Sequence, residues 1–206
     1  MRILAGVLVL GFALGLAGPA AAQVVGILQS AETVDRGNVK LLIAPQPMFG
    51  KNGADDEFGI AARLGYGFTS SFDAEAKVAF FENSTALGAD LEYWALKNAG
   101  VDGSLTGGIH YIVGSEGRPD LLGFELVPQL SAHVADPLEL GLALGAYFES
   151  VQDAPVGVDD SFSRMYLVPG LEYRLSEDAD LDAEVGVGLN DDSNTYLGAG
   201  ITFYLR

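Results

Sequence analysis

The stretch that decides the fold is Phe72-Asp-Ala-Glu-Ala-Lys-Val-Ala-Phe-Phe-Glu82. Phe72, Ala74, Ala76, Val78 and Phe80 share one phase of a two-residue period, and Asp73, Glu75 and Lys77 share the other. Successive side chains of a strand point to opposite faces, so this segment predicts a strand with one greasy and one polar side. The pattern recurs on both sides of it. Asn38–Gln46, Glu57–Thr69, Phe72–Glu82, Leu87–Leu96, Ser104–Val113, Leu121–Ala132, Leu138–Glu149, Ser163–Leu175, Leu181–Leu189 and Thr195–Leu205 make ten candidate strands. The links between them are rich in Gly, Asn, Asp, Ser and Pro, as turns require. No segment with a helical period competes.

Alternation around a closed sheet allows a soluble barrel with an apolar interior or a membrane barrel with an apolar exterior. The small residues choose between them. Gly59, Ala61, Gly65, Gly67, Gly141, Ala143, Gly145, Gly186, Gly188, Gly198 and Gly200 fall in the polar phase. They suit a crowded concave surface, whereas the Leu, Phe, Tyr and Val of the other phase are too bulky for a narrow lumen. Phe58, Phe68, Phe72, Phe124, Phe148, Tyr173 and Phe203, near strand ends, suit interfacial girdles. A tilted spanning strand needs about 9–11 residues, which most of these segments supply. The expected fold is therefore all-β: one antiparallel, up-and-down transmembrane barrel of about ten strands, with eight or twelve as alternatives. On this face assignment Leu142→Arg and Val187→Arg block insertion, and Gly145→Ser is tolerated.

The first residues predict export. Arg2 is a minimal basic region, Ile3 to Leu16 an apolar one, and Gly18-Pro19 precede Ala20-Ala21-Ala22. Residues 1–22 thus read as a secretory signal peptide cleaved before Gln23, too short for a membrane-spanning helix. Residues 23–37 read as a periplasmic lead-in or an extra strand, and 38–206 as the barrel domain. The chain has no cysteine, hence neither a disulfide nor a lipid-acceptor thiol. A net charge of −17 argues against nucleic acid as a partner.

With this topology the turns at Ser70, Lys97–Asp102, His133–Pro137 and Ser176–Asp180 face the periplasm. The loops Pro47–Asp56, Glu82–Ala86, Gly114–Asp120, Ser150–Ser161 and Asn190–Asn194 face outside. The inward face carries Lys40, Arg63, Lys77, Arg164 and Arg174 among Glu57, Asp73, Glu75, Asp90, Glu92, Glu125, Glu139, Glu149, Glu172, Asp182 and Glu184. Acids outnumber bases. Such a lumen is either a plug of paired charges or a narrow cation-preferring passage. About eight strands already leave a barrel nearly filled by side chains, so ten leave little room.

Catalytic, cofactor and metal sites are not indicated. The only histidines are His110 and His133. Ser104 lies roughly 20 Å along the strand from His110, while Ser131 and His133 stand about 7 Å apart on one face. A structural serine and a surface histidine account for that pair. The acidic clusters Asp55-Asp56-Glu57, Asp159-Asp160, Glu177-Asp178 and Asp191-Asp192 lack calcium-loop spacing and read as solvated turns. The Gly-x-Gly pairs are strand glycines, which leaves nucleotide binding unsupported.

The export signal, followed by segments such as Phe58-Gly-Ile-Ala-Ala-Arg-Leu-Gly-Tyr-Gly-Phe68 and Tyr196-Leu-Gly-Ala-Gly-Ile-Thr-Phe-Tyr-Leu-Arg206, resembles the small, porin-like outer-membrane β-barrel proteins of Gram-negative bacteria. The resemblance covers the mature chain as a pattern. It implies insertion by the outer-membrane assembly machinery, contact with outer-membrane lipid and lipopolysaccharide, and roles from passive pore to adhesion, structural support or lipid modification. Closing strands in that family usually end on an aromatic residue; here the end reads Phe203-Tyr204-Leu205-Arg206. Lipid A deacylases of such membranes use Ser and His on a barrel's outer surface, and no matching motif stands here. The expectation is a non-enzymatic outer-membrane barrel, structural or a narrow cation-preferring pore. The alternatives are a soluble periplasmic barrel binding an apolar ligand, and a lipid-modifying enzyme.

Overall fold

The computed structural model describes residues 26–51, 55–98, 100–115, 118–152 and 160–205. The expected signal peptide, its cleavage point before Gln23, and Asp159 lie outside the described residues. Ten strands follow one another: β1 Val39–Phe49, β2 Glu57–Gly67, β3 Phe72–Phe81, β4 Ser84–Asn98, β5 Val101–Gly114, β6 Leu121–Ala135, β7 Leu138–Val151, β8 Ser161–Ser176, β9 Ala179–Gly188 and β10 Thr195–Leu205. Each pairs antiparallel with the next, and β1 pairs with β10 to close the barrel. Closure removes the free edges that would otherwise template aggregation.

β1 runs on through Pro45 and Pro47, beyond the expected end at Gln46. Its pairing with β2 is continuous there, whereas its pairing with β10 lapses between Ile43 and Met48 and resumes in the same register. A proline has no N–H to donate, so it interrupts the ladder on one side only. Pro128 and Pro169 repeat the device. Each is paired on one side, to Leu105 and Leu142 respectively, and falls in a gap on the other. The bulges between Trp94 and Leu96, His133 and Ala135, and Arg174 and Ser176 all lie near the end that carries both strand termini. There the two-residue period breaks and β4, β6 and β8 project beyond the bounds the alternation predicts.

The greasy phase faces outward. Ile109 is 65% exposed, Leu91 62% and Phe80 59%, and the outward positions of every strand between its ends are uncharged. Phe72 stacks on Tyr93 across β3–β4 and Phe124 on Phe148 across β6–β7, with ring centroids 4.6 and 4.8 Å apart. A soluble barrel with an apolar ligand cavity has the opposite arrangement.

The interior is filled from both chemistries. Met48, Phe81, Ile112 and Leu121, toward the loop end, form a buried apolar cluster with Tyr147, Tyr166 and Tyr196. The three tyrosine rings pack edge to face, with centroids 5.7 Å apart at each contact. Glycines make room for these rings. A Cβ on Gly186 would lie 1.7 Å from Cε1 of Tyr196, its cross-strand partner, and one on Gly123 2.3 Å from Nε2 of His110. The expected tolerance of Gly145→Ser is corrected for the same reason. A Cβ there would stand 2.8 Å from Cε2 of the Tyr147 ring, so the inward face is crowded by neighbouring side chains and not merely by curvature.

Where the sequence suggests a periplasmic lead-in or an extra strand, residues 26–34 run inside the barrel as an extended strap. Ile27, Leu28, Ala31 and Val34 are buried. The strap leaves through the terminal end at Arg36, which bridges in parallel to Gly67. Gly37, at φ 87°, then turns the chain into β1, and its N–H reaches the Gly67 carbonyl at 2.8 Å.

Candidate functional site

Alternate residues of β1 to β9 put their polar side chains into one lumen, where a chain of ion pairs spans the wall from β1 to β8. Lys40 pairs with Glu75. Arg63 reaches Glu75 at 2.5 Å and Asp90 at 3.1 Å. Lys77 bridges Asp90 at 2.9 Å and Glu125 at 2.5 Å. His110 lies between Glu125 and Glu149, 3.2 Å from each, and Arg164 reaches Glu149 at 3.3 Å. Basic and acidic side chains alternate, and each of them is almost fully buried. Buried charges persist only when paired, and this ladder gives most of them two partners.

The remaining polar groups hold the strap. Glu184 accepts the N–H groups of Ile27 and Leu28 at 2.9 and 2.7 Å. Arg63 donates to the Gly26 and Ile27 carbonyls at 2.8 and 2.5 Å. Gln46 accepts the Gly26 N–H, Ser131 the Ala31 N–H and Asp73 the Val34 N–H. Gln129 donates to the Ser30 carbonyl and to Glu92, which also accepts the Ser104 hydroxyl. Residues 26–34 pair with no strand among the described residues, and these side chains meet much of the backbone there instead.

At the terminal end the lumen opens into a cavity of about 550 Å³. Glu32, Asp35, Glu75, Glu172, Glu177, Asp180 and Asp182 line it, against Lys40, Arg63 and Arg174 as cations. Thr202 donates to Asp182 at 2.7 Å. Glu139 lies nearby and faces His133, whose Nδ1 is 3.2 Å away.

The expected lumen residues divide into three groups, apart from Glu57, which pairs with Arg118 toward the loop end. Lys40, Arg63, Glu75, Lys77, Asp90, Glu125, Glu149 and Arg164 belong to the ladder. Asp73, Glu92 and Glu184 serve the strap directly or through Gln129. Glu139, Glu172, Arg174 and Asp182 gather at the terminal mouth, where the Arg174 side chain is largely exposed. The expectation missed Gln46, Gln129 and His110, although all three fall in the polar phase and that signal would have found them. The strap itself left no comparable signal. The Ser131 hydroxyl is engaged by Ala31, and His133 by Glu139.

No protein-family model and no curated protein matches the sequence. Solved structures match at the level of fold. A bacterial polysaccharide outer membrane secretin is similar over 82% of this chain, with 11% identity and a TM-score of 0.51. This chain spans 66% of that one. The KdgM porin matches over 81% of this chain and 99% of its own, with 12% identity and a TM-score of 0.47. The Yersinia pestis outer membrane protein Ail matches over 82% and 100%, with 13% identity and a TM-score of 0.44. The fold is that of outer-membrane β-barrel proteins.

Proposed function

We propose that this chain is a non-enzymatic structural barrel of the outer membrane. Its lumen is closed to through-transport, and its periplasmic mouth holds an acidic, cation-preferring vestibule. The observation that carries the reading is the uninterrupted ladder from Lys40 to Arg164 with the strap bonded against it. Above it, toward the loop end, the tyrosines and the apolar cluster fill the lumen, with the buried Glu57 paired to Arg118 beside them. Membrane residence rests on the outward apolar belt, because lipid requires an apolar exterior and internally satisfied backbone. The belt meets hydrocarbon and the outer loops meet lipopolysaccharide. Seven carboxylates against three cations give the vestibule its preference.

Planar-bilayer recording on the purified, folded barrel tests the reading. The expected result is no steady conductance above the bare membrane. Stable, ohmic, cation-selective steps would replace a closed barrel by a pore. Recovery of the protein in the soluble periplasmic fraction would remove the membrane assignment altogether.

A further inference from the structure

We propose that Glu32, His133 and Glu139 form a site for one zinc-class divalent transition ion, which fastens the strap to the barrel wall at the terminal mouth. One donor atom from each residue lies within 4.8 Å of the other two. His133 and Glu139 are directly opposed across β6 and β7, and Nδ1 stands 3.2 Å from the carboxylate. Two donors held at about 2.0–2.1 Å by one tetrahedral ion are themselves roughly 3.3 Å apart, so this pair already has the spacing of ligands.

Two further observations point to a cation. Glu139 is 4% exposed; its Oε2 faces His133, while its other oxygen, Oε1, has no hydrogen-bond partner among the described residues. An unfilled buried carboxylate oxygen is costly, and a metal ion fills it. The strap also brings a second carboxylate to the same place. Ser131 holds the Ala31 N–H at 3.1 Å, which fixes the position of the next residue, Glu32, beside His133.

The donor set selects the ion class. One imidazole and two carboxylates suit a four-coordinate transition ion with water as the fourth ligand, whereas calcium needs six to eight oxygens. The ion would tie residues far apart in sequence, one on the strap and two on neighbouring strands, and so add a fastening that the hydrogen bonds alone lack.

The test is calorimetric titration of Zn²⁺ into the tag-free chain from Gln23, folded in detergent and stripped with EDTA. Heat modifiability verifies folding of each variant. The expected result is one ion per barrel, with affinity falling at least tenfold in Glu32→Gln and in His133→Gln. Glu32→Gln is the safer variant, since it touches the strap and leaves both strands intact. A reporter cysteine at Ile27 adds a second readout, because the chain contains no other thiol. Zn²⁺ should slow its labelling in the parent but not in Glu32→Gln. Absence of binding, parent-like affinity in both variants, or a preference for Ca²⁺ that survives His133→Gln would overturn the proposal.

Discussion

The Glu184 carboxylate fixes Leu28 by its backbone. Oε2 accepts the Leu28 N–H at 2.7 Å while Leu28 holds φ at 42°, a left-handed conformation that a bulky residue rarely adopts. Such strain persists only where surrounding contacts over-determine it, and Oε1 supplies a second bond through the Ile27 N–H at 2.9 Å. Hydrogen bonds to a charged group contribute about 1.5–3 kcal/mol each, and tenfold in an equilibrium corresponds to ~1.4 kcal/mol. Glu184→Ala is therefore expected to raise the labelling rate of a cysteine at buried Ile27 by more than tenfold. An unchanged rate would mean that the other strap contacts suffice.

Lys77 is the junction of the ladder, because Asp90 and Glu125 share its ammonium. Lys77→Met leaves two buried carboxylates facing each other. Removing one partner of a buried pair costs about 3–5 kcal/mol, mostly from the charge left behind. Urea unfolding of the refolded barrel should show a loss of that size. The double variant Lys77→Met/Glu125→Gln should recover part of it, since the two effects are coupled.

The ladder and the strap were not equally legible in the sequence. Lys77 announces its inward direction by standing between Ala76 and Val78 in strict alternation, so phase alone places it. The strap has no period. Ile27, Leu28, Ala31 and Val34 do not follow the two-residue alternation of the strands, because an extended segment surrounded by barrel wall on every side meets no two-faced environment. Several of its contacts come from far along the chain, from Glu184 at 157 positions and Gln129 at 99, and such pairings leave no local mark. Strand ends such as Lys97–Asn98 escape for another reason: the bulge between Trp94 and Leu96 shifts the phase.

Outside the spanning strands, Asp120 gives a clean titration. The Tyr111 hydroxyl donates to it at 2.7 Å and the Gly114 N–H at 2.9 Å, and these bonds hold its carboxyl below the usual aspartate value. A depressed folded value means that the carboxylate's contribution is present above the ordinary range near pH 3.9 and is lost as pH falls through the folded value. A carboxyl-carbon NMR titration should therefore find a midpoint below that of a free aspartate. Tyr111→Phe should move it up; a midpoint that does not respond would deny the hydroxyl its role.

Gly186 faces Tyr196, and even a methyl group there would overlap the ring. Tyr196 is 1% exposed and packed between Tyr166 and the strap, with no free space to swing into. Gly186→Val is expected to destabilise the barrel by about 1–3 kcal/mol through overpacking, measured as a lowered urea midpoint. Tyr196→Ala in the same background should restore part of the loss, whereas Tyr196→Ala alone should destabilise by leaving a cavity.

Leu142 tests the face assignment itself. It is 48% exposed in the outward phase of β7, flanked by Leu130 on β6 and Pro169 on β8. On a soluble surface Leu142→Arg would be almost neutral. In a lipid-facing belt an arginine near the midplane costs about 2–4 kcal/mol. Refolding into lipid vesicles should therefore be lowered for Leu142→Arg and equally for Val187→Arg, while Leu142→Phe, apolar and outward, should fold like the parent. Parent-like insertion by both arginine variants would mean that this side of the barrel does not meet lipid, and the case for a membrane protein would fall with it.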